Sequence, residues 1–502
     1  MLVRLASRKS DLARLQAYSV GEALKKKFPD IQIEYKFSSS LGDRDQQVPL
    51  WAAENKGLFT QDFAEDLEAG RVDAVVHSWK DLPIEMRPHT EVVATLSRAD
   101  HRDLLLIPKA AWAKAVNLGQ LTVLSSSPRR VYNLSRLLPN ILPAPQMQIQ
   151  FKDVRGNIPT RLNKLMDGEG DALVVAKAAM DRLLEASWAD IQAARVKLRE
   201  QLDQCHWMVL PASQNPTAAA QGAIAIEILK TRDDLRAIFA KVNCAKTFTN
   251  IRREREWLAG LGGGCHQKIG VNVLSRPYGE ITYLQGLTDR GEILNAANLE
   301  TSARPVWPGP TNRDEIWPYE MNEVTLFNRI PMSDVEIPSG PLWVARADAL
   351  PEAFVASMGQ VIWTAGLHTW QKLALRGVWV NGSAEGLGEQ ESENIENLLG
   401  GSMGNWTKLS HHRAESTSEK TLCPTYELQP RAERFDFTGK KYFFWPSGTA
   451  FLRAIEIEPQ IRQYYHACGP GHTFGVLKQH ISDSSRIRVY LSHAQWREDV
   501  LS

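Results

Sequence analysis

The sequence predicts a multidomain α/β protein, and three features of the chain support this fold class. Up to about residue 230, short apolar strands alternate with helices, the βαβ rhythm that predicts mainly parallel sheets. After the glycines at 262–264, alternating apolar segments indicate a small α+β unit. A chain of 502 residues is also too long for a single core.

The first sheet is predicted from four segments in chain order. Val3 to Ala6 forms a short strand, Ser10 is placed to cap the following helix, and residues 31–37 alternate as a half-buried strand. A buried strand at 74–76 then opens into polar residues. The apolar segment 222–228 lies far downstream and is predicted to return to this sheet.

The remaining elements define a second sheet and a C-terminal part. Strands at 104–107, 121–124 and 171–176 predict the second sheet, and a helix-rich stretch at 247–261 leads into the small α+β unit. Residues 302–340 are rich in proline and turn formers and are interpreted as a partly packed connector. Residues 341–502, which we call the C-terminal region, look like another α/β unit with many tryptophans.

Composition limits the function classes. The net charge of +1 gives no global basic field for nucleic acid. The N-terminus shows no secretory segment, and no apolar run has the length of a membrane span. Five cysteines without a Cys-x-x-Cys pair indicate reduced thiols in the cytoplasm. We predict no metal site, since His466, Cys468 and His472 lack a fourth ligand.

The run His77 to Pro83 is the most informative part of the chain. A buried strand ends here in Ser78, Lys80 and Asp81, and in an open α/β sheet ligands bind beyond the carboxyl ends of strands. A lone carboxylate in a basic surround suits a cation that forms during a reaction. The alternative is a strand end with a surface ion pair.

Two further segments are predicted to bind carboxylates. In the first, Ser125 to Ser127 precede Pro128, a residue typical of the first helical turn, and Arg129 and Arg130 follow. In the second, residues 154–161 combine a glycine turn, a proline at a helix start and two arginines, Arg155 and Arg161. Arginine binds planar carboxylates through two hydrogen bonds, although solvated surface arginines are the alternative.

Cys265 is a candidate nucleophile. It follows three glycines and precedes His266, so its thiol is expected on an accessible loop. The alternative, a small buried apolar residue, fits Cys205 and Cys244 better. Glu254, Arg255 and Glu256 are interpreted as surface charges of the preceding helix, with Arg255 as a possible cleft residue.

Seven segments together resemble one family, porphobilinogen deaminase, also called hydroxymethylbilane synthase. The resemblance spans about residues 1–300 and rests on these segments in order: RKSDLA at 8–13, KGLF at 56–59, HSWKDLP at 77–83, SSPRR at 126–130, RGNIPTRL at 155–162, QGA at 221–223 and GGC at 263–265.

The resemblance implies a specific chemistry. Four porphobilinogen molecules would condense head to tail, with loss of ammonia, on a dipyrromethane primer held by a thioether to Cys265. Asp81 matches the carboxylate that stabilises the positive charge on the pyrrole nitrogen. The matching cofactor residues are Lys80, Ser126, Arg129 and Arg130, and the matching substrate residues are Arg8, Ser10, Lys56, Ser78, Arg155, Arg161 and Arg182.

Some positions depart from the family pattern. Ala52 stands where the family often has a lysine in a mobile loop. Trp79 replaces a smaller apolar residue, often Met, and Pro128 replaces a common Leu. Residues 213–217 look like an insertion before Gln221. These differences bear on lid closure and binding geometry but leave Asp81 and Cys265 in place.

The C-terminal region resembles a second family, uroporphyrinogen-III synthase. The resemblance rests on VIWTAGLHTW at 361–370, FFWPSGTAF at 443–451 and CGPGHT at 468–473. In that family such segments line an inter-domain cleft, and the activity would be the next step of tetrapyrrole synthesis. An inactive or scaffolding remnant is the alternative, since about 160 residues are fewer than that synthase needs.

These observations predict the following organisation. Two periplasmic-binding-protein-like sheet domains (1–98 with about 205–235, and 99–204) precede a small α+β domain that carries the cofactor (236–303), a connector (304–340) and the region 341–502. We expect a monomeric cytoplasmic transferase that binds porphobilinogen and neither nucleic acid nor membrane. The alternative from another class is a non-catalytic anion-binding protein on the same two-lobed scaffold.

Overall fold

The computed structural model describes residues 1–38, 61–262, 267–301, 305–321, 326–401, 404–432 and 435–502. Ala52, Lys56 and Cys265 therefore lie outside the described residues. Five sheets are described, and their strand order confirms the predicted α/β class. Within these ranges, no helix combines the length and the apolar character needed to cross a membrane.

The first lobe is built on a five-stranded sheet. Its order is Gln32–Ser38, Leu2–Arg8, Ala74–Ser78, Ile224–Leu229 and Thr90–Ala94. The first three strands are parallel, and Ile224–Leu229 runs antiparallel to both of its neighbours. The predicted return of the downstream segment to this sheet is confirmed. The lobe also contains the helices Asp11–Lys27, Gln61–Glu68 and Asp233–Ala240.

The second lobe repeats the same topology. Its order is Gln148–Lys152, Gln120–Leu124, Ala172–Ala176, Asp103–Pro108 and Cys205–Val209. The chain thus passes twice between the lobes, once before Asp103 and once after Val209. The lobe's helices are Lys109–Leu118, Pro128–Ile141, Ile158–Met166, Lys177–Glu185 and Gln192–Asp203. The two α/β lobes agree with the predicted fold class. The sequence assigned residues from about 205 to the first lobe, but Cys205–Val209 pairs with Asp103–Pro108 and belongs to the second.

A third unit follows the lobes. The helix Ala245–Gly260, which we call the third-unit helix, packs on the antiparallel sheet Gly270–Arg276, Gly279–Leu287 and Ile293–Glu300. Gly270 is required by a close approach, since a Cβ there would lie 1.9 Å from the carbonyl oxygen of Pro216. The third unit is therefore seated directly on the segment that the sequence marked as inserted.

The C-terminal region contains two sheets. The four-stranded one is fully parallel, in the order Ile316–Trp317, Tyr442–Trp445, Tyr465–Cys468 and Ile487–Val489. The six-stranded one has the order Phe327–Pro331, Lys420–Pro430, Trp406–His411, Leu342–Val344, Ile362–Thr364 and Gly382–Ser383. The helices are Leu367–Leu375, Glu396–Leu399, Gly448–Ile457, His472–His480 and His493–Leu501.

Two of these strands correct the interpretation of 304–340 as a connector. Ile316–Trp317 and Phe327–Pro331 are edge strands of the two C-terminal sheets, and Trp317 is part of the main buried hydrophobic cluster. The prolines of this segment suit edge positions, where one side of the strand needs no ladder hydrogen bonds. The C-terminal region therefore draws on residues well before 341.

The second lobe and the C-terminal region share one hydrophobic core. Leu138 and Ile141 of the second lobe belong to the same buried cluster as Trp370 and Leu373. The indole nitrogen of Trp370 donates to the carbonyl oxygen of Ile141 at 3.0 Å. Many of the tryptophans thus serve packing, and separating the two parts would expose a large apolar surface.

Candidate functional site

The carboxyl ends of the first-lobe strands open into a cleft of about 460 Å³. The strand Ala74–Ser78 gives way to a single 3₁₀ turn, Trp79–Asp81, and Pro83 behind it lacks the N–H that renewed pairing would need. The lining residues are Arg8, Ser10, Leu12, Ala13, Gln16, Val76, His77, Ser78 and Asp81. Asp81 is exposed to this cleft, and the Ser78 hydroxyl accepts from Gln16 Nε2 at 2.7 Å.

Lys80 points to the junction between the lobes. Its Nζ donates to Gln221 Oε1 at 3.2 Å. Burial lowers the pKa of Lys80, while the charges of Asp81 and Asp103 oppose that shift. Because burial outweighs these two charges, an anion bound next to the ammonium would be favourable.

The two predicted carboxylate-binding segments lie side by side in the second lobe. Pro128 begins its helix as predicted, and Ser127 caps it by accepting from the backbone N–H of Arg130 at 3.4 Å. Ser126 Oγ donates to the carbonyl of Val154 at 2.7 Å and accepts from its N–H at 2.8 Å. The Ser126 hydroxyl thus joins the two segments, and its role in binding the cofactor stays a prediction.

Arg129 and Arg130 converge on the fully buried Asp103. Arg129 Nη2 lies 2.8 Å from Oδ2 of Asp103, and Arg130 Nη2 lies 2.7 Å from Oδ1. The two guanidiniums hold the pKa of the Asp103 carboxyl far below its usual range. Arg129 also donates to Asn215 Oδ1 at 3.1 Å and to the carbonyl of Pro216 at 2.9 Å. Its donors are thus largely engaged inside the protein.

Arg161 lies close to other cations and to Asp81. Arg161, with its Nε bound to the carbonyl of Gly156 at 2.7 Å, is desolvated and repelled by Arg130 and Arg155. Burial and this repulsion lower the pKa of Arg161 to about 10, and Asp81 opposes the shift. Arg161, Arg130, Arg155 and Asp81 are therefore electrostatic neighbours.

Arg182 and Arg8 are the two remaining predicted substrate-binding cations among the described residues. Arg182 Nη2 donates to the carbonyl of Gly222 at 2.8 Å, and burial lowers the pKa of Arg182 to about 10. Arg8 and Ser10 line the first-lobe cleft. Ser10 is the N-cap of its helix, but its side chain makes no capping hydrogen bond. Its hydroxyl can therefore serve a ligand.

Sequence reasoning missed two residues that hold the site together. Glu254 is fully buried rather than a surface charge. Its Oε1 lies 2.6 Å from Arg98 Nη1 and its Oε2 accepts from the N–H of Ala220 at 2.8 Å. The burial of Glu254 could have been found from helical spacing, because Glu254 lies three residues after Ile251 and four before Leu258 and so shares a helix face with both.

Gln221 is the second missed residue, and it connects the cations of both lobes. Its Nε2 donates to Asp103 Oδ1 at 2.9 Å, while its Oε1 accepts from Lys80. It stands in the QGA segment, but nothing in that segment by itself indicates a contact with Lys80.

The histidine and cysteine cluster near 466–472 has an internal explanation. Trp445 Nε1 donates to His466 Nδ1 at 3.0 Å, and His466 Nε2 lies 3.0 Å from the carbonyl of Ile461. Both ring nitrogens are therefore occupied by protein groups. Cys468 is buried beside them, and burial raises the pKa of its thiol.

Comparison with known proteins identifies the first three units. The profile described as "Porphobilinogen deaminase, dipyromethane cofactor binding domain" matches residues 3–237. A porphobilinogen deaminase of Syntrophomonas wolfei is 33% identical over 287 residues, which are 57% of this chain and 84% of that protein. The chain belongs to the porphobilinogen deaminase family. One from Lawsonia intracellularis is 33% identical over 303 residues, 60% of this chain and 89% of that protein.

Membership makes the protein a transferase with a dipyrromethane cofactor binding domain. Among solved structures, the effector-binding domain of BenM covers 52% of this chain and is itself covered to 94%, with 14% identity and a TM-score of 0.26. That score is too low to support the fold, which rests on the strand order above.

The described residues fit such a cofactor. A dipyrromethane carries acetate and propionate side chains, and the site holds cations whose pKa values burial has lowered, namely Lys80, Arg161 and Arg182. Buried Nε atoms of Arg129 and Arg130 also lack a hydrogen-bond partner among the described residues. Carboxylates between the lobes would supply the missing negative charge.

Proposed function

We propose that this protein is a hydroxymethylbilane synthase, which condenses four porphobilinogen molecules head to tail and releases ammonia. The observation that carries the proposal is the placement of Asp81 in the cleft as the carboxylate beside Lys80 and Arg161. A substrate with several carboxylates is attracted by the cations, and one carboxylate remains for the reacting nitrogen.

Asp81 is the proposed catalytic residue. As porphobilinogen loses its amino group, positive charge spreads onto the pyrrole nitrogen, and an adjacent carboxylate lowers the energy of that state. Asp81 is free to do so because it is exposed to the cleft. The exposed position also allows it to accept and return a proton of the pyrrole N–H.

The cations divide into two groups by their surroundings. Lys80, Arg130, Arg155 and Arg161 surround the space next to Asp81 and are proposed to hold carboxylates of cofactor and substrate, together with Arg8, Arg182, Ser10 and Ser78. Arg129 and Ser126 are proposed to act mainly by fixing the loops that present these groups.

Cys265 and Lys56 complete the proposal from the resemblance. The Cys265 thiol is proposed to hold the dipyrromethane through a thioether, which resists hydrolysis. Lys56 is proposed to bind substrate carboxylates.

Intact mass and turnover test the proposal together. The wild-type protein is expected to carry a dipyrromethane mass increment that Cys265→Ser abolishes. Asp81→Asn is expected to keep this increment and lose more than about 99% of turnover, the loss typical when a positioned acid–base group is removed. Asp30→Asn, an exposed aspartate of the same lobe, should be as active as wild type. Normal turnover of Asp81→Asn, or a wild-type mass without the increment, would contradict the proposal.

A second activity, that of a uroporphyrinogen-III synthase, is proposed for the C-terminal region. The supporting observation is a cleft of about 390 Å³ lined by Trp343, Ala365, Gly386, Gly388, Glu389 and His472. Ala365 and His472 belong to two of the segments that resemble that family, and they follow strands of the two different C-terminal sheets. We propose that this region begins near residue 305, which gives it the length that 341–502 lacks.

The ring order of the product tests this second activity. The full chain, supplied with porphobilinogen, is expected to yield the porphyrinogen in which one pyrrole ring is inverted. A product with uninverted ring order alone would count against it. Truncation at residue 305 is a poor test, because it would expose the core shared with the second lobe.

A further inference from the structure

One segment of the C-terminal region contacts the second lobe and the third unit at several points. We propose that this segment, residues 385–394, which we call the bracing segment, positions the deaminase site, and that Glu385 is its main positioning residue. The inference rests on the proposed deaminase function and adds a role for a region that the family comparisons do not reach.

Glu385 holds the chain where it leaves the second lobe. Its Oε1 accepts from the N–H of Ala212 at 3.0 Å, and its Oε2 accepts from the N–H of Ser213 at 2.7 Å. Glu385 itself has a φ of +55°, a left-handed conformation that is unfavourable for a residue with a Cβ. In this conformation the two carboxylate oxygens meet the two N–H groups.

The residues that Glu385 binds begin the segment that anchors Arg129. Asn215 Oδ1 and the carbonyl of Pro216 accept from Arg129 Nη1. Asn215 Nδ2 donates to Asp103 at 3.0 Å. The same carboxylate binds Arg130 and Gln221, and Gln221 accepts from Lys80. The path from Glu385 to the residue next to Asp81 therefore runs through the short chain segment 212–216 and then through hydrogen bonds and ion pairs.

The rest of the bracing segment contacts the second lobe and the third unit. Glu391 Oε1 accepts from Arg276 Nε at 2.7 Å on the sheet of the third unit. The carbonyl of Glu393 accepts from Arg102 at 2.9 Å, and the carbonyl of Asn394 accepts from the buried Lys177. The segment thus fixes the second lobe, which carries the cations, relative to the third unit.

This geometry matters for a reaction that joins groups held by different units. Small errors in the relative position of reacting groups cost large factors in rate even when the altered residue is remote. Glu385 therefore acts on turnover through Arg129, Asp103 and Gln221 without touching substrate.

The test uses the full-length holoenzyme at 25 °C. In Glu385→Gln an amide NH₂ faces one of the two backbone N–H groups. We expect kcat for porphobilinogen consumption to fall by about tenfold, with the cofactor mass increment and the far-UV circular dichroism unchanged. Glu385→Asp keeps both carboxylate oxygens and is expected to retain more activity than Glu385→Gln. Glu391→Gln is expected to show a smaller loss.

Glu396→Gln is the matched control, since Glu396 is exposed in the helix that follows the bracing segment. It should leave kcat and KM at wild-type values. If Glu385→Gln lowers the melting temperature but matches this control in kcat and KM, the positioning role is refuted and Glu385 serves stability alone. An inactive wild type would instead refute the proposed function, so the two failures are distinguishable.

Discussion

Arg255 of the third-unit helix donates to the carbonyl oxygen of Leu82 at 3.2 Å, immediately after Asp81 in the chain. The same guanidinium also binds the carbonyls of Pro83 and Ile84. Arg255 therefore ties the turn that presents Asp81 to the third-unit helix, which precedes Cys265 in the chain. The sequence interpreted Arg255 as a helix-surface charge or a cleft residue, and the structure engages it with the first lobe.

Replacing Arg255 tests this connection. Arg255→Gln is expected to lower kcat by about tenfold or more, because the turn carrying Asp81 loses three hydrogen bonds to one planar group. Arg252→Gln on the same helix is the control, since Arg252 forms an exposed ion pair with Glu256 that contributes little. Equal kcat values for the two variants, measured on holoenzyme, would show that Arg255 does not position Asp81.

Arg129 and Arg161 should respond differently to the same substitution. Arg129→Gln leaves Asp103 buried with half of its charge compensation, and breaking such a pair costs about 3–5 kcal/mol of unfolding free energy. Arg161→Gln removes a cation whose pKa is already lowered to about 10, so the protein should stay as stable while KM for porphobilinogen rises.

Thermal unfolding and steady-state kinetics of both variants check this contrast. A raised KM without a change in stability for Arg129→Gln would restore the direct binding role that the sequence suggested for it.

Gly471 closes the C-terminal cleft by touching Gly388. A Cβ on Gly471 would lie 2.8 Å from the Cα of Gly388, and Gly471 has a φ of +97°, which disfavours any other residue. Gly471→Ala is therefore expected to push the two C-terminal sheets apart and to reduce the fraction of ring-inverted product.

Gly475→Ala is the control for this variant. Gly475 lies in the helix His472–His480, and a Cβ added there would meet no described atom from outside that helix within 4 Å, so alanine is accommodated. An unchanged product ratio for Gly471→Ala would argue that the cleft has no part in ring closure.

His466 predicts a loss of stability at acidic pH. Burial lowers the pKa of His466 from 6.5 to about 3, so between these values the unfolded chain binds a proton that the folded protein does not. Stability from this group is complete above pH 6.5 and falls as the pH decreases toward 3, by up to about 1.4 kcal/mol per pH unit.

Calorimetric melting temperatures from pH 4 to 7 measure this effect. His466→Gln can still accept from Trp445 and donate to Ile461, and it should show a shallower dependence on pH than wild type. His89→Gln, at an exposed histidine, should follow the wild-type curve. Identical slopes for all three proteins would mean that His466 is not held neutral.

Local sequence patterns were sufficient to predict many of the secondary-structure elements of this protein. Alternation at 31–37 and the apolar runs near 74–76 and 121–124 predict their strands, since burying one or both faces of a strand requires those spacings. Pro128 and Ser127 likewise mark their helix start, because capping is decided within four residues. The seven motifs that resemble the family were sufficient to indicate the deaminase reaction.

Local sequence patterns could not predict the contacts between segments that lie far apart in the chain. Whether Arg129 faces a ligand or Asp103, whether Glu254 is exposed, and whether Glu385 meets Ala212 depend on which loops the fold brings together. Residues 316–317 and 327–331 were interpreted as a connector because their pairing partners lie about a hundred residues downstream.

Local sequence was enough for the α/β class, for several strands and helix starts, and for the types of charged groups in the candidate site. Folding selects which of those charges stay available to a ligand and which are neutralised inside the protein. The physical reason is that hydrophobic periodicity and capping act over a few residues, whereas desolvation and ion pairing depend on neighbours that folding brings from far along the chain.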